Sequence, residues 1–204
     1  AAALAPALRK VRLAQAQIAL FRYDLDEAGQ IGQELVAAYP TGADGYVILS
    51  DVHRARYELR QALEVVEQGL AAAGESADLL NARGDIYQSL NQYEEATRDF
   101  EQALALRPNS LYALTSLSQI AENRGENELA LERIEQALAL DPSNALLYLL
   151  RASIYESQKE DDLAKADRDQ AEALDAGDRS VLLLKANQLM EEEEYFEAKS
   201  ILED

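Results

Sequence analysis

Residues 77–110 read ADLLNARGDIYQSLNQYEEATRDFEQALALRPNS. Leu80, Gly84 and Tyr87, then Ala96 and Phe100, stand three or four apart, the spacing that stacks side chains on one face of an α-helix. Pro108 closes the second of these two stretches, because proline lacks an amide and crowds the preceding turn. Shifting the chain by 34 residues sets Ala28, Ala62, Ala96, Ala130, Ala164 and Ala198 in one column. Pro6, Pro40, Pro108 and Pro142 fall in another, with Gly74 and Ala176 in its two remaining places. A period of this length marks a helical-repeat array, and such arrays bind along extended surfaces rather than perform chemistry.

Copies in the register of 77–110 occupy residues 9–42, 43–76, 111–144 and 145–178 without insertion or deletion. Residues 1–8 fit the end of a preceding copy and 179–204 part of a following one. Position 8 of the repeat is always small, reading Ala16, Ser50, Gly84, Ser118, Ala152 and Ala186, as expected where two helices approach closely. Position 34 carries Ser76, Ser110, Asn144 and Asp178, side chains suited to accept from the orphan amides of a helix N-terminus. No alternating strand-like run competes. The fold class expected is all-α, one continuous array over 1–204.

Leu80, Gly84, Tyr87, Ala96, Phe100 and Pro108 at positions 4, 8, 11, 20, 24 and 32 resemble the tetratricopeptide repeat, with its W-x2-L-G-x2-Y, A-x3-F and P pattern. The resemblance covers essentially the whole chain. It implies a right-handed superhelical solenoid of antiparallel helix pairs whose first helices line a concave groove. Arg83, Arg151 and Lys185 at position 7 and Arg168 at position 24 depart from the family's apolar choice. Their stems are expected to cover the core while the charge reaches water. Gly32 and Gly69 are expected to leave the first two repeats thinly packed, with weakened second helices. Residues 1–6, AAALAP, continue the lattice, Asp204 stops within a second helix, and neither end is polar like a capping helix. The expectation is a segment of a longer array.

With 38 acidic against 19 basic residues and a formal charge of -19, a nucleic-acid backbone or an anionic membrane surface is disfavoured as a direct ligand. No apolar run reaches the length that spans a bilayer, so direct membrane insertion is not expected. The chain has no cysteine, which rules out disulfides and thiolate chemistry but fits either redox compartment. His53 is the one histidine; with no second histidine to share a metal or complete a triad, a packed core residue is expected. No glycine spacing forms a phosphate loop. Glu191–Glu194 fall at a turn before a second helix, where acids favour the coming N-terminus. No cofactor and no catalysis are expected.

By their positions, Tyr46, Tyr87, Tyr93, Tyr148, Tyr155, Tyr195 and Phe100 are core residues, whereas Tyr112 at position 2 points into the implied groove. Carrying the family's groove positions over gives Asp44, Asp51, Arg54, Asp78, Asn81, Asp85, Gln88, Tyr112, Thr115, Gln119, Glu122 and Asn123 in the second to fourth copies. The fifth and sixth copies present Leu146, Leu149, Leu150, Ser153, Glu156, Leu183, Leu184, Asn187 and Met190, a more apolar set whose leucines serve either as groove or as packing between repeats. The Lys, Asn and Arg set of the family's carboxylate clamp is absent from the matching positions. The resemblance implies a scaffold that binds a protein or peptide segment, basic or carrying an apolar anchor. A second reading places the chain in bacterial exopolysaccharide synthesis or export, in the cell envelope, since the amide-rich groove suits hydroxyl-rich or amino-sugar chains. A third makes it the substrate-recruiting part of a glycosyltransferase.

Overall fold

A computed structural model describes residues 6–174. Every regular element there is an α-helix: α1 (Pro6–Phe21), α2 (Leu25–Ala38), α3 (Ala43–Ala55), α4 (Leu59–Ala73), α5 (Ala77–Ser89), α6 (Tyr93–Leu106), α7 (Leu111–Asn123), α8 (Asn127–Leu140), α9 (Ala145–Ser157) and α10 (Asp161–Leu174). The fold is an all-α helical-repeat fold, two helices to each 34-residue copy. It divides into two compact units, Ala1–Ala113 and Leu114–Asp204.

One backbone device ends every first helix. Position 15 is left-handed in all five described copies, at Tyr23, Tyr57, Asn91, Gly125 and Lys159, with φ of 60°, 60°, 58°, 74° and 62°. The amide of the next residue donates back to the carbonyl of position 11, in Asp24 to Ala19, Glu58 to His53, Gln92 to Tyr87, Glu126 to Ala121 and Glu160 to Tyr155, at 2.8–2.9 Å. This is the six-to-one bond of a Schellman motif, which satisfies a carbonyl the helix leaves open and reverses the chain. Asn144 caps α9 by accepting from the Leu146 amide, and Ser110 Oγ accepts from the Ala113 amide. Ser76 does not cap through its side chain, contrary to expectation. Asp24, at a position without a capping column, caps α2 by accepting from the Glu27 amide at 3.1 Å.

Within a hairpin the helices meet at positions 8 and 20. Ala28, Ala62, Ala96, Ala130 and Ala164 have no solvent exposure, and a methyl added at Gly84 would lie 2.8 Å from the Phe100 ring. Burial of apolar surface at this seam stabilises the hairpin. The expectation of thin packing at Gly32 and Gly69 is not met. Leu49 fills the space beside Gly32, and Leu79 with Tyr46 that beside Gly69, so a methyl at either glycine would meet a carbon at 2.8–2.9 Å. The helix propensity lost there is exchanged for close contact between hairpins. Ala198, Lys185, Tyr195 and the Glu191–Glu194 run lie outside the described residues.

Positions 3 and 10 are buried at Leu79, Ala113, Leu147, Val52, Ile86, Ile120 and Ile154. In the first copy the same positions, Val11 and Ile18, are each 51 % exposed. Ala19, Leu25, Ala28 and Val52 form one cluster on the other side of this hairpin. Tyr46, Ala62, Val66, Leu79 and Ile86 form the next.

Candidate functional site

Asp44 and Asp51 on α3, and Asp78, Asn81, Asp85 and Gln88 on α5, are spaced three, four or seven apart, so each set lies on one helix face. Tyr112 lies in the first turn of the next first helix, α7. In the first unit these residues are brought into a linked polar cluster. Tyr112 donates its hydroxyl to the Asp85 carboxylate, 2.6 Å from both oxygens, while its ring meets Phe100 edge-on at 6.3 Å between centroids. Arg54 donates to Asp51 at 3.1 Å and lies 3.7 Å from Asp85. One guanidinium thus serves two carboxylates from successive first helices.

Burial pushes the Asp85 carboxyl up to about 6, against the Tyr112 hydrogen bond and the Arg54 charge, with Asp51 adding to the rise. Burial also raises Asp51, which Arg54 opposes. The Tyr112 hydroxyl is raised by burial and then by the neighbouring Asp85 charge. Burial works against the Arg54 guanidinium, but Asp85 and Asp51 outweigh it and hold it charged. The desolvation is greatest at Asp85, whose side chain is 12 % exposed, while Tyr112 is 49 % exposed; loss of water makes the excess carboxylate there costly.

The remaining acids of this face have counter-ions of their own. Arg9 Nε donates to Asp44 at 2.8 Å with its guanidinium 4.8 Å from the Tyr39 ring centroid. Arg107 donates to both oxygens of Asp78 at 2.9 and 3.2 Å. The row of acids is therefore partly neutralised from within, and its surplus negative charge gathers at Asp51 and Asp85. Asn81 is 8 % exposed and its Oδ1 has no hydrogen-bond partner. In the second unit Glu122 accepts from Ser153 Oγ at 2.7 Å, Gln119 is exposed and Thr115 half-buried.

His53 is half-buried rather than packed in the core, and its Nδ1 lies 2.6 Å from Glu58 Oε2 across the α3–α4 turn. Tyr46 and Phe100 are buried, whereas Tyr87, Tyr93, Tyr148 and Tyr155 are half-buried. Leu149 packs with Tyr148 on Ala145 and Ala171, and Leu146 is exposed; Leu183, Leu184, Asn187 and Met190 lie outside the described residues. Arg83 and Arg151 are not free in water at their tips: each forks onto a buried aspartate, Asp99 and Asp167. Arg168 pairs with Glu156. Two exposed aromatics, Tyr23 and Tyr57, carry no signal at groove positions; what distinguishes them is their place at position 15, where the left-handed turn disfavours a bulky side chain.

Residues 77–110 match the family model described as Tetratricopeptide repeat. No curated protein sequence matches the chain. Among solved structures, that of Pseudomonas aeruginosa PilF is 22% identical, covering 95% of this chain and 88% of its own, with a TM-score of 0.70. TTC0263, described as a thermophilic TPR protein of Thermus thermophilus, is 26% identical over 72% of this chain and 80% of its own, with a TM-score of 0.67. YrrB, described as a TPR protein with an unusual peptide-binding site, is 20% identical over 85% and 90%, with a TM-score of 0.59. A tetratricopeptide repeat is thus shown at residues 77–110, and the same two-helix unit is repeated in register on either side of it.

Proposed function

We propose that this chain is a non-catalytic scaffold that takes a basic segment of a partner protein on the face of Asp51, Arg54, Asp85 and Tyr112. The observation that carries the reading is the sharing of one guanidinium by two half-buried carboxylates. With both ionised the cluster holds one negative charge in excess, and an incoming cation supplies what Arg54 alone does not. The protein-interaction character of the fold supports it, as does the peptide-binding site in the name of the structurally similar YrrB. The extended first-helix face suits a segment rather than a small molecule.

The test is a titration of the chain with a basic peptide library at low salt and near physiological ionic strength. Exposed charges are screened beyond about 8 to 10 Å in the second condition, so binding weakens without vanishing. Asp51→Asn with Asp85→Asn, and separately Tyr112→Ala, reduce it. If neither variant changes the binding of any ligand found, the acidic face is a solubilising surface and the reading fails. Amino-sugar oligomers form the second arm; binding of these instead of peptides moves the function to polysaccharide chains.

A further inference from the structure

Beside the shared-arginine cluster, in the first unit, a cavity of about 410 Å³ is lined by Tyr23, Tyr57, Asp51, Arg54, Ala55 and Leu59. Its two tyrosines are 67 % and 88 % exposed, and both sit at the left-handed turn position. That conformation favours glycine or asparagine, as Gly125 and Asn91 show in other copies, and disfavours a bulky side chain. Two rings are thus kept in water at a position where the backbone selects against them. Tyr23 is also fixed in direction, because its hydroxyl donates to the Ala55 carbonyl at 2.9 Å. The Asp51 carboxylate lines the same cavity, with the apolar side chains of Ala55 and Leu59.

The same chain shows what fits such a set. Arg9 lies over the Tyr39 ring and pairs with Asp44. Arg83 lies 6.0 Å from the Tyr87 ring centroid and forks onto Asp99. Arg151 lies within 5.8 Å of the Tyr148 and Tyr155 ring centroids and forks onto Asp167. A planar guanidinium stacks on an aromatic face and matches a carboxylate fork, which a lysine ammonium does not. Arg54 stands 3.1 Å from Asp51 and 3.7 Å from Asp85, so it can pass from one carboxylate to the other and leave Asp51 to a newcomer.

We propose that this cavity is an arginine pocket: the side chain of an arginine in the partner segment stacks on Tyr57 and Tyr23 and pairs with Asp51 while Arg54 turns to Asp85. This rests on the scaffold reading above and names the side chain it selects.

The probes are the tripeptide acetyl-Gly-Arg-Gly-amide and its citrulline and lysine counterparts, titrated at millimolar concentration and followed by NMR. The arginine peptide shifts the resonances of Tyr23, Tyr57 and Asp51, and the citrulline peptide, equal in shape but uncharged, binds at least about tenfold more weakly. Tyr57→Gly, which suits the turn and so preserves the fold, weakens arginine binding about tenfold, and Asp51→Asn does likewise. Equal binding of citrulline or of lysine, no shift at these three residues, or unchanged affinity in Tyr57→Gly overturns the pocket. If basic library peptides still bind in these cases, the scaffold reading stands alone; if no basic peptide binds, both fall.

Discussion

Arg83 and Asp99 meet through two parallel hydrogen bonds, each 2.7 Å long, and Arg151 and Asp167 repeat the arrangement two copies later at the same lengths. Both aspartates are buried. These are positions 7 and 23 of the repeat, which in the copy 43–76 hold Leu49 and Val65. Copy 43–76 thus carries apolar residues at the two positions where copies 77–110 and 145–178 carry a forked ion pair.

Removing one partner strands a buried charge. Arg83→Leu alone, which leaves the buried Asp99 carboxylate unpaired, is expected to cost about 3–5 kcal/mol, whereas replacing the pair with the apolar residues of the neighbouring copy, Arg83→Leu with Asp99→Val, is expected to be within about 1 kcal/mol of the parent or more stable. Urea denaturation of the three proteins checks this. A double variant as unstable as the single one would mean that the site cannot repack, and that the equivalence of the two seams is wrong.

The backbone of this fold is legible in the sequence because close approach leaves a column: alanine at position 20 and a small residue at position 8 recur wherever two helices touch. Position 23 leaves none, reading Ile31, Val65, Asp99, Arg133 and Asp167, so the ion pairs are invisible until the helices are placed. Gly32 and Gly69 mislead for a related reason, since the side chains that fill their space come from other helices: Leu49 beside Gly32, and Leu79 with Tyr46 beside Gly69. On the acidic face, the alignment of Asp78, Asn81 and Asp85 follows from helical spacing. Arg9 on α1 and Arg107 just beyond α6, which pair with Asp44 and Asp78, stand at positions 1 and 31 and share no spacing with them.

Ser50 and Ser118 both occupy position 8 and are both buried. Ser118 Oγ donates to the Ala130 carbonyl at 2.9 Å, and Ser50 Oγ has no partner. Opposite effects are expected: Ser118→Ala loses about 1 kcal/mol, and Ser50→Ala, which removes an unsatisfied hydroxyl, gains about as much. Two losses in thermal denaturation would show that Ser50 has a hydrogen-bond acceptor in solution.

Tyr57 carries the left-handed turn with an exposed ring, so Tyr57→Gly is expected to raise stability by up to about 1 kcal/mol, the relief of the turn being partly offset by the freedom glycine gains in the unfolded chain. Tyr23→Gly should gain less, because it also loses the bond to the Ala55 carbonyl. A loss of stability in Tyr57→Gly would mean that the ring packs in solution.

Asp85 couples the acidic face to pH. Its carboxyl titrates near 6 in the folded chain against an ordinary value of 3.8, so between these values the folded state holds the extra proton. Its contribution to stability is fully present below about pH 4 and is lost as pH rises through 6. Asp85→Asn keeps an acceptor for the Tyr112 hydroxyl and removes the charge, so its stability should no longer fall over this window and should exceed that of the parent at pH 7, by on the order of 2 kcal/mol. Tyr112→Phe removes a bond that favours the carboxylate and should move the midpoint higher. A cation arriving beside Asp51, Arg54 and Asp85 expels the same proton, so the affinity for a basic peptide should rise between pH 5 and 7 in the parent and stay flat in Asp85→Asn. Peptides of arginine suit the measurement, since guanidinium does not titrate there. An affinity independent of pH in the parent would remove Asp85 from the binding face.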